Sequence, residues 1–113
     1  MNSSASWQVV CRREELAHSQ VIEFTVNETP GFVLAHQGKL TAFVNRCPHL
    51  GIELNWMPGR FLDANQSFIQ CATHGALFTI DQGQCIVGPC QGDALTVLNT
   101  REQDGEVLVR VPA

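Results

Sequence analysis

Short apolar runs, each cut off by turn-forming residues, dominate this chain and leave room for strands but not for long helices. Val21 to Val26 sets Val, Glu and Thr against Ile, Phe and Val, the period-two alternation of a half-buried strand. Similar runs cover Trp7 to Val10, Phe32 to His36, Lys39 to Val44, Ser67 to Gln70, Leu77 to Ile80, Gln84 to Val87, Leu95 to Arg101 and Val107 to Val111. Gln37-Gly38 and Asp104-Gly105 have the spacing of tight hairpin turns. Asn27-Glu28-Thr29-Pro30-Gly31 reads as a loop, Asp81-Gln82-Gly83 as a turn, and Gly88-Pro89 as the end of a strand. Arg13 to Ala17 is polar, with room for one helical turn. Asn45 to Asn65 has no periodicity and holds Pro48, Gly51, Pro58 and Gly59, so it reads as loop. The pattern predicts an all-β antiparallel sandwich or barrel, in a single domain over 1–113 with 1–6 as a flexible tail.

Composition excludes some functions. The formal charge of −4 disfavours a nucleic-acid partner, whose phosphates are bound by cationic side chains. No run of about 20 apolar residues is present to span a membrane. The opening Met-Asn-Ser-Ser-Ala-Ser has no charged leader and no following apolar stretch, which predicts a cytoplasmic protein. Five cysteines, an odd number, argue against a pure disulfide framework and leave metal binding, catalysis or small buried hydrophobes.

Cys47-Pro48-His49-Leu50-Gly51 and Cys71-Ala72-Thr73-His74-Gly75 form two boxes, Cys-x-His and Cys-x-x-His, separated by 21 residues. Each puts a soft thiolate and an imidazole on a loop rich in Gly or Pro, and two such loops facing each other make a four-ligand site. A structural zinc ion suits two Cys and two His, although zinc knuckles usually pair Cys with Cys.

The paired boxes closely resemble the ligand boxes of Rieske [2Fe–2S] proteins. Gly83-Gln84-Cys85-Ile86-Val87-Gly88-Pro89 resembles the segment that closes over the cluster in that family. The resemblance runs from about Val9 to Val111 and implies a Rieske-like β sandwich or barrel carrying a cluster-binding loop subdomain. It implies one [2Fe–2S] cluster, with Cys47 and Cys71 holding one iron and His49 and His74 holding the other. In the family the histidine-bound iron lies nearer the surface, which makes the two rings the expected electron exit.

Two thiolates bring the roughly +2 oxidised core to about zero, whereas four would bring it to about −2, so histidine ligation raises the potential. Rieske centres span about −150 to +300 mV. High-potential members carry Ser and Tyr after the second box, and an extra Cys in each box that bridges the two loops. Here the matching positions are Ala76 and Phe78, and Ile52 and Thr73. The resemblance therefore implies the low-potential type.

Other residues carry two readings each. Cys85 and Cys90 flank Gly88-Pro89 and form either a local disulfide or two thiols beside the cluster loop. Cys11, next to Arg12 and Arg13, is either a thiol of lowered pKa or a strand-end hydrophobe. His18 and His36 read as ordinary histidines. Trp56 and Met57 read as a shield or docking surface, or as a hydrophobic plug under a long loop. Leu50 and Pro89 form either an apolar docking rim or a barrier to water. The acidic balance serves either steering to a basic partner or solubility.

Taken together, these features predict a monomeric one-electron carrier between a flavin-dependent reductase and an oxygenase or other acceptor, and not an enzyme in its own right. A tightly held redox subunit and a redox sensor are the alternatives. A complete oxygenase would need a further domain holding a mononuclear iron with two His and a carboxylate. Only His18 and His36 remain outside the boxes.

Overall fold

Alternation along the first half of the chain pairs its strands into an antiparallel sheet, and the loop-rich middle builds a second, smaller one. The computed structural model describes residues 7–18, 21–36, 38–46, 54, 61–63, 67–72, 75–88 and 92–110. The elements are β1 (Trp7–Arg12), α1 (Glu15–His18), β2 (Val21–Val26), β3 (Thr29–His36), β4 (Lys39–Val44), β5 (Phe68–Gln70), β6 (Leu77–Thr79), β7 (Cys85–Val87), β8 (Val97–Gln103) and β9 (Glu106–Arg110). Six strands run in the order β1-β9-β8-β4-β3-β2, and β5-β6-β7 form the small sheet. The edge strands β1 and β2 touch each other, so the large sheet is nearly closed into a barrel. β1 and β2 remain the edges of the sheet, lying close to each other without a ladder between them. The expected all-β architecture with a loop subdomain is what the chain adopts.

β3 is buried on both faces because it lies between two cores. Val33 points into the barrel with Cys11, Leu16, Ala42, Leu98, Val107 and Val109. Phe32 and Leu34 point the other way, into a cluster with Phe43, Phe61, Ile69, Phe78 and Leu95. Phe32 stacks on Phe61 with ring centroids 4.2 Å apart, which fastens the loop subdomain to the barrel. On the outside, Trp7 lies against the guanidinium groups of Arg101 and Arg110, at 5.0 and 5.4 Å from its ring centroid.

The structure corrects the expected loop at 27–31. Val26 pairs with Thr29, so the turn is Asn27-Glu28 alone, and Thr29, Pro30 and Gly31 belong to β3. Asn27 and Glu28 both have positive φ, 51° and 66°, the signature of the type I′ turn that matches strand twist. Pro30 is tolerated because β4 has ended: the last β3–β4 pair is Gly31 with Val44, and the Pro30 carbonyl accepts the Asn45 N–H at 2.8 Å. Gly31 is needed for space, since a Cβ there would sit 2.7 Å from the Phe24 ring. Glu28 carries a left-handed conformation at a cost of about 1 kcal/mol. Glu28→Gly is therefore expected to raise Tm by roughly 4 °C, measured by calorimetry. An unchanged or lower Tm would count against the turn assignment.

β1 runs two residues past its expected end. A bulge between Val9 and Cys11 shifts the register, so Cys11 pairs with Val107 and faces the barrel core. The expected helical turn is α1, whose entry is closed by Glu15 Oε2 accepting the Arg12 N–H at 2.7 Å.

Candidate metal centre

The second box lies on the loop that joins β5 to β6. Cys71 follows Gln70 at the end of β5, and Ala76 precedes Leu77 at the start of β6. The Cys71 N–H donates to the Ala76 carbonyl at 2.9 Å, and the Gly75 N–H donates to the Cys71 carbonyl at 2.8 Å. These two bonds close a short hairpin loop, with Gly75 at φ 69°. Cys71 is fully buried, as are Ala76 and Phe78.

The first box follows β4. Val44 ends the strand, its N–H donating to the Thr96 carbonyl at 2.9 Å, and Asn45 and Arg46 lead into Cys47. Asn45 is buried at 3% exposure. Its Oδ1 accepts the Leu54 N–H at 2.8 Å, and the Leu54 carbonyl accepts the Ala72 N–H at 2.7 Å. The entry to the first box is thus hydrogen-bonded, through one intermediate residue, to the second.

A third segment presses on this pair. β7 ends at Val87, and Gly88 adopts φ 108°. A Cβ on Gly88 would lie 2.9 Å from Ala76 Cα, so the exit of β7 lies directly against the β5–β6 loop. Cys85 is buried in β7 opposite Phe78, and its Sγ–H donates to the Val87 carbonyl at 3.4 Å.

Of the four ligands expected from sequence, Cys71 lies among the described residues, and Cys47, His49 and His74 lie outside them. Ile52, Thr73, Leu50, Pro89, Trp56, Met57 and Cys90, and with Cys90 the possible Cys85–Cys90 disulfide, also lie outside them. His18 ends α1, on a different element from either box. His36 is in the β3–β4 hairpin, beside Lys39 and at the opposite end of β4 from Asn45. There it lines a pocket of about 410 Å³ with Lys39, Leu40, Thr41, Asp81 and Gln82.

Cys11 is a core residue and not an activated thiol. Burial pushes its pKa up, Glu15 pushes it the same way, and only Arg13 opposes them. The raised pKa keeps the group as a neutral thiol through physiological pH. Cys11 is therefore expected to resist iodoacetamide at pH 8 in the folded protein and to react once guanidinium is added, read by mass spectrometry. Fast labelling without denaturant would overturn this.

Sequence reasoning passed over Asn45 and Leu54. A lone polar residue at the end of an apolar strand, two positions before a ligand box, was the available signal for Asn45. Nothing in the sequence marks Leu54, whose part is played by its backbone.

A family model, the Rieske [2Fe-2S] domain, matches residues 6–109. A cholesterol 7-desaturase from Caenorhabditis elegans is 33% identical over 84 residues, 74% of this chain and 19% of the relative. A cytochrome b6-f complex iron-sulfur subunit from Chlorobaculum tepidum is 33% identical over 88 residues, 78% of this chain and 44% of the relative. The chain thus spans less than half the length of either. The Sphingomonas yanoikuyae B1 ferredoxin has the same fold, with a TM-score of 0.75 at 20% identity, covering 95% of this chain and 100% of that one. A chain in the complex of reduced oxygenase and oxidized ferredoxin in carbazole 1,9a-dioxygenase gives a TM-score of 0.73 at 25% identity, over 91% of both chains.

The group implied by such a domain is a [2Fe–2S] cluster, and the described residues fit it. The Cys71 side chain is a soft donor with no solvent exposure, placed in an apolar cluster with Ala76 and Phe78. A low-polarity wall suits a site whose oxidised charge is near zero. At the exit of β7, Gly88 closes against Ala76 where a side chain would have no room. The match along 6–109, on a fold that places the second box at the tip of the small sheet, shows that this chain belongs to the Rieske [2Fe-2S] domain family.

Proposed function

We propose that this chain is a one-electron carrier of the low-potential Rieske type, with Cys47 and Cys71 holding one iron and His49 and His74 the other. The cluster, when bound, takes up and releases a single electron. The chain's own residues hold it, keep water from the thiolate side, and set how readily it is reduced. The observation that carries the reading is the β5–β6 loop. Cys71 is fully buried there, and Ala76 and Phe78, also fully buried, bring no hydroxyl that could donate to a sulfur and favour the reduced state.

The donor in this reading is a flavin-dependent reductase and the acceptor an oxygenase or another oxidoreductase. The likeness to a chain in an oxygenase–ferredoxin complex supports an oxygenase acceptor. The chain works as a monomeric single domain in the cytoplasm, with no catalytic residue of its own. Among the described residues no helix is long and apolar enough to cross a membrane.

A redox subunit of a larger assembly is the second reading. The likeness to a cytochrome b6-f complex iron-sulfur subunit supports it. Co-purification at fixed stoichiometry would favour the subunit. Rapid reduction by a reductase with NAD(P)H, followed by rapid reoxidation, would favour the carrier.

The deciding experiment is electron paramagnetic resonance on anaerobically purified protein, combined with a redox titration. The oxidised protein is expected to be silent and the dithionite-reduced protein to give a half-integer-spin signal. The midpoint is expected below about +100 mV, within the lower part of the Rieske range. A value well above that would sink the low-potential assignment. Silence in both states with stoichiometric zinc would sink the carrier.

A further inference from the structure

We propose that Asn45 is a positioning residue that ties the two ligand loops together before any metal is bound. The inference rests on the reading of the boxes as the cluster site and adds a residue that neither box contains. Asn45 is anchored behind by its own N–H, which donates to the Pro30 carbonyl at 2.8 Å and so fixes it to the end of β3. In front, its Oδ1 receives the Leu54 N–H at 2.8 Å. Leu54 is fully buried, and its carbonyl passes the connection on to the Ala72 N–H at 2.7 Å. Ala72 follows Cys71 directly, and the Cys71 N–H is held by Ala76.

This relay runs from a barrel strand, through the entry of the first box, to the second box, and every link is protein. Asn45 suits the position because its amide oxygen accepts a hydrogen bond without bringing charge into a buried place. Asn45 is also the one buried polar residue among the described residues. Burying it is costly unless its bonds are made, and its side-chain bond holds Leu54, whose carbonyl in turn holds the second loop at Ala72. A pair of loops held only by the metal would have to find each other at every loading. A pair held by Asn45 is already closed, and the ordering cost is met when the barrel folds.

The test follows the Leu54 and Ala72 amides by hydrogen exchange with mass spectrometry in the full chain, loaded and then stripped with chelator. Both amides are expected to stay protected after stripping, with exchange rising by less than about tenfold. Exchange at the rate of an open loop would overturn the proposal. In parallel, Asn45→Leu removes the acceptor at similar volume. Its cluster is expected to be lost to chelator about tenfold faster or more, the size a lost buried hydrogen bond produces. Its reduced-state resonance lines are expected to broaden, because the two loops no longer keep one spacing. An unchanged loss rate and line shape would overturn the proposal. If Asn45→Leu does not fold, the wild-type exchange decides alone. If the wild-type protein carries zinc and no iron, the carrier reading falls, while the exchange comparison on the zinc-loaded chain still decides the role of Asn45.

Discussion

Cys71→Ala is expected to lose the cluster and keep the barrel. Iron and sulfide should fall below about a tenth of the wild-type content, because one iron would be left a thiolate short and no water has access to a fully buried position. The barrel should survive, because its own core of Cys11, Leu16, Val33, Ala42, Leu98, Val107 and Val109 does not include Cys71. Far-ultraviolet circular dichroism should therefore stay close to wild type while the visible bands vanish. His74→Ala should give the same result by removing an imidazole. Cys85→Ala is the necessary contrast. Cys85 is also buried in the loop subdomain, but its thiol donates to the Val87 carbonyl and is not one of the assigned ligands. Its iron content should match wild type. Full iron in Cys71→Ala, or equal loss in Cys85→Ala, would overturn the ligand assignment.

Much of this architecture was legible because strand periodicity is a local property. Val21 to Val26 and Lys39 to Val44 appear in the structure with the bounds their alternation suggests. The errors fell where a residue's usual meaning was overridden by a long-range contact. Pro30 and Gly31 look like a turn, yet they sit inside β3. Proline is there because the ladder beyond Val44 asks for no donor, and glycine because Phe24 takes the space. Asn27-Glu28 carries the turn instead, with Glu28 in a conformation its side chain disfavours. The bulge near Val10 was likewise invisible, since it depends on where Cys11 meets Val107.

The site divides along the same line. The proposed ligand types and their spacing are written in the two boxes, because coordination chemistry demands particular side chains. The relay through Leu54 joins the Asn45 side chain to backbone groups of 54 and 72, and those backbone groups any residue could supply. The same holds for the meeting of Gly88 and Ala76. A glycine before a proline reads as the end of a strand, and its contact partner 12 positions earlier leaves no mark in the local sequence.

That contact makes Gly88→Ala the substitution of largest expected effect outside the ligands. Two independent costs fall on one methyl group. At φ 108° an L-residue is held outside its allowed regions, which costs about 1–3 kcal/mol. The new Cβ would also meet Ala76 Cα at 2.9 Å and Ala76 Cβ at 3.0 Å, inside van der Waals contact. Ala76 cannot easily yield, since its carbonyl holds the Cys71 N–H and its own side chain is fully buried. Overpacking of this kind costs about 1–3 kcal/mol. Together the two are expected to destabilise the loop subdomain by about 2–6 kcal/mol, less if β7 swings away to relieve both. Swinging away would open the wall beside Cys71, so either response reaches the cluster. The expected result is a cluster that bleaches in air or chelator at least about tenfold faster than wild type, followed by visible absorbance. Gly92→Ala is the matched control: φ is again positive, at 96°, but nothing lies within 4 Å of the added Cβ. It should share the backbone cost and keep the cluster. Equal bleaching in the two variants would show that strain alone, and not pressure on the Cys71 loop, governs retention.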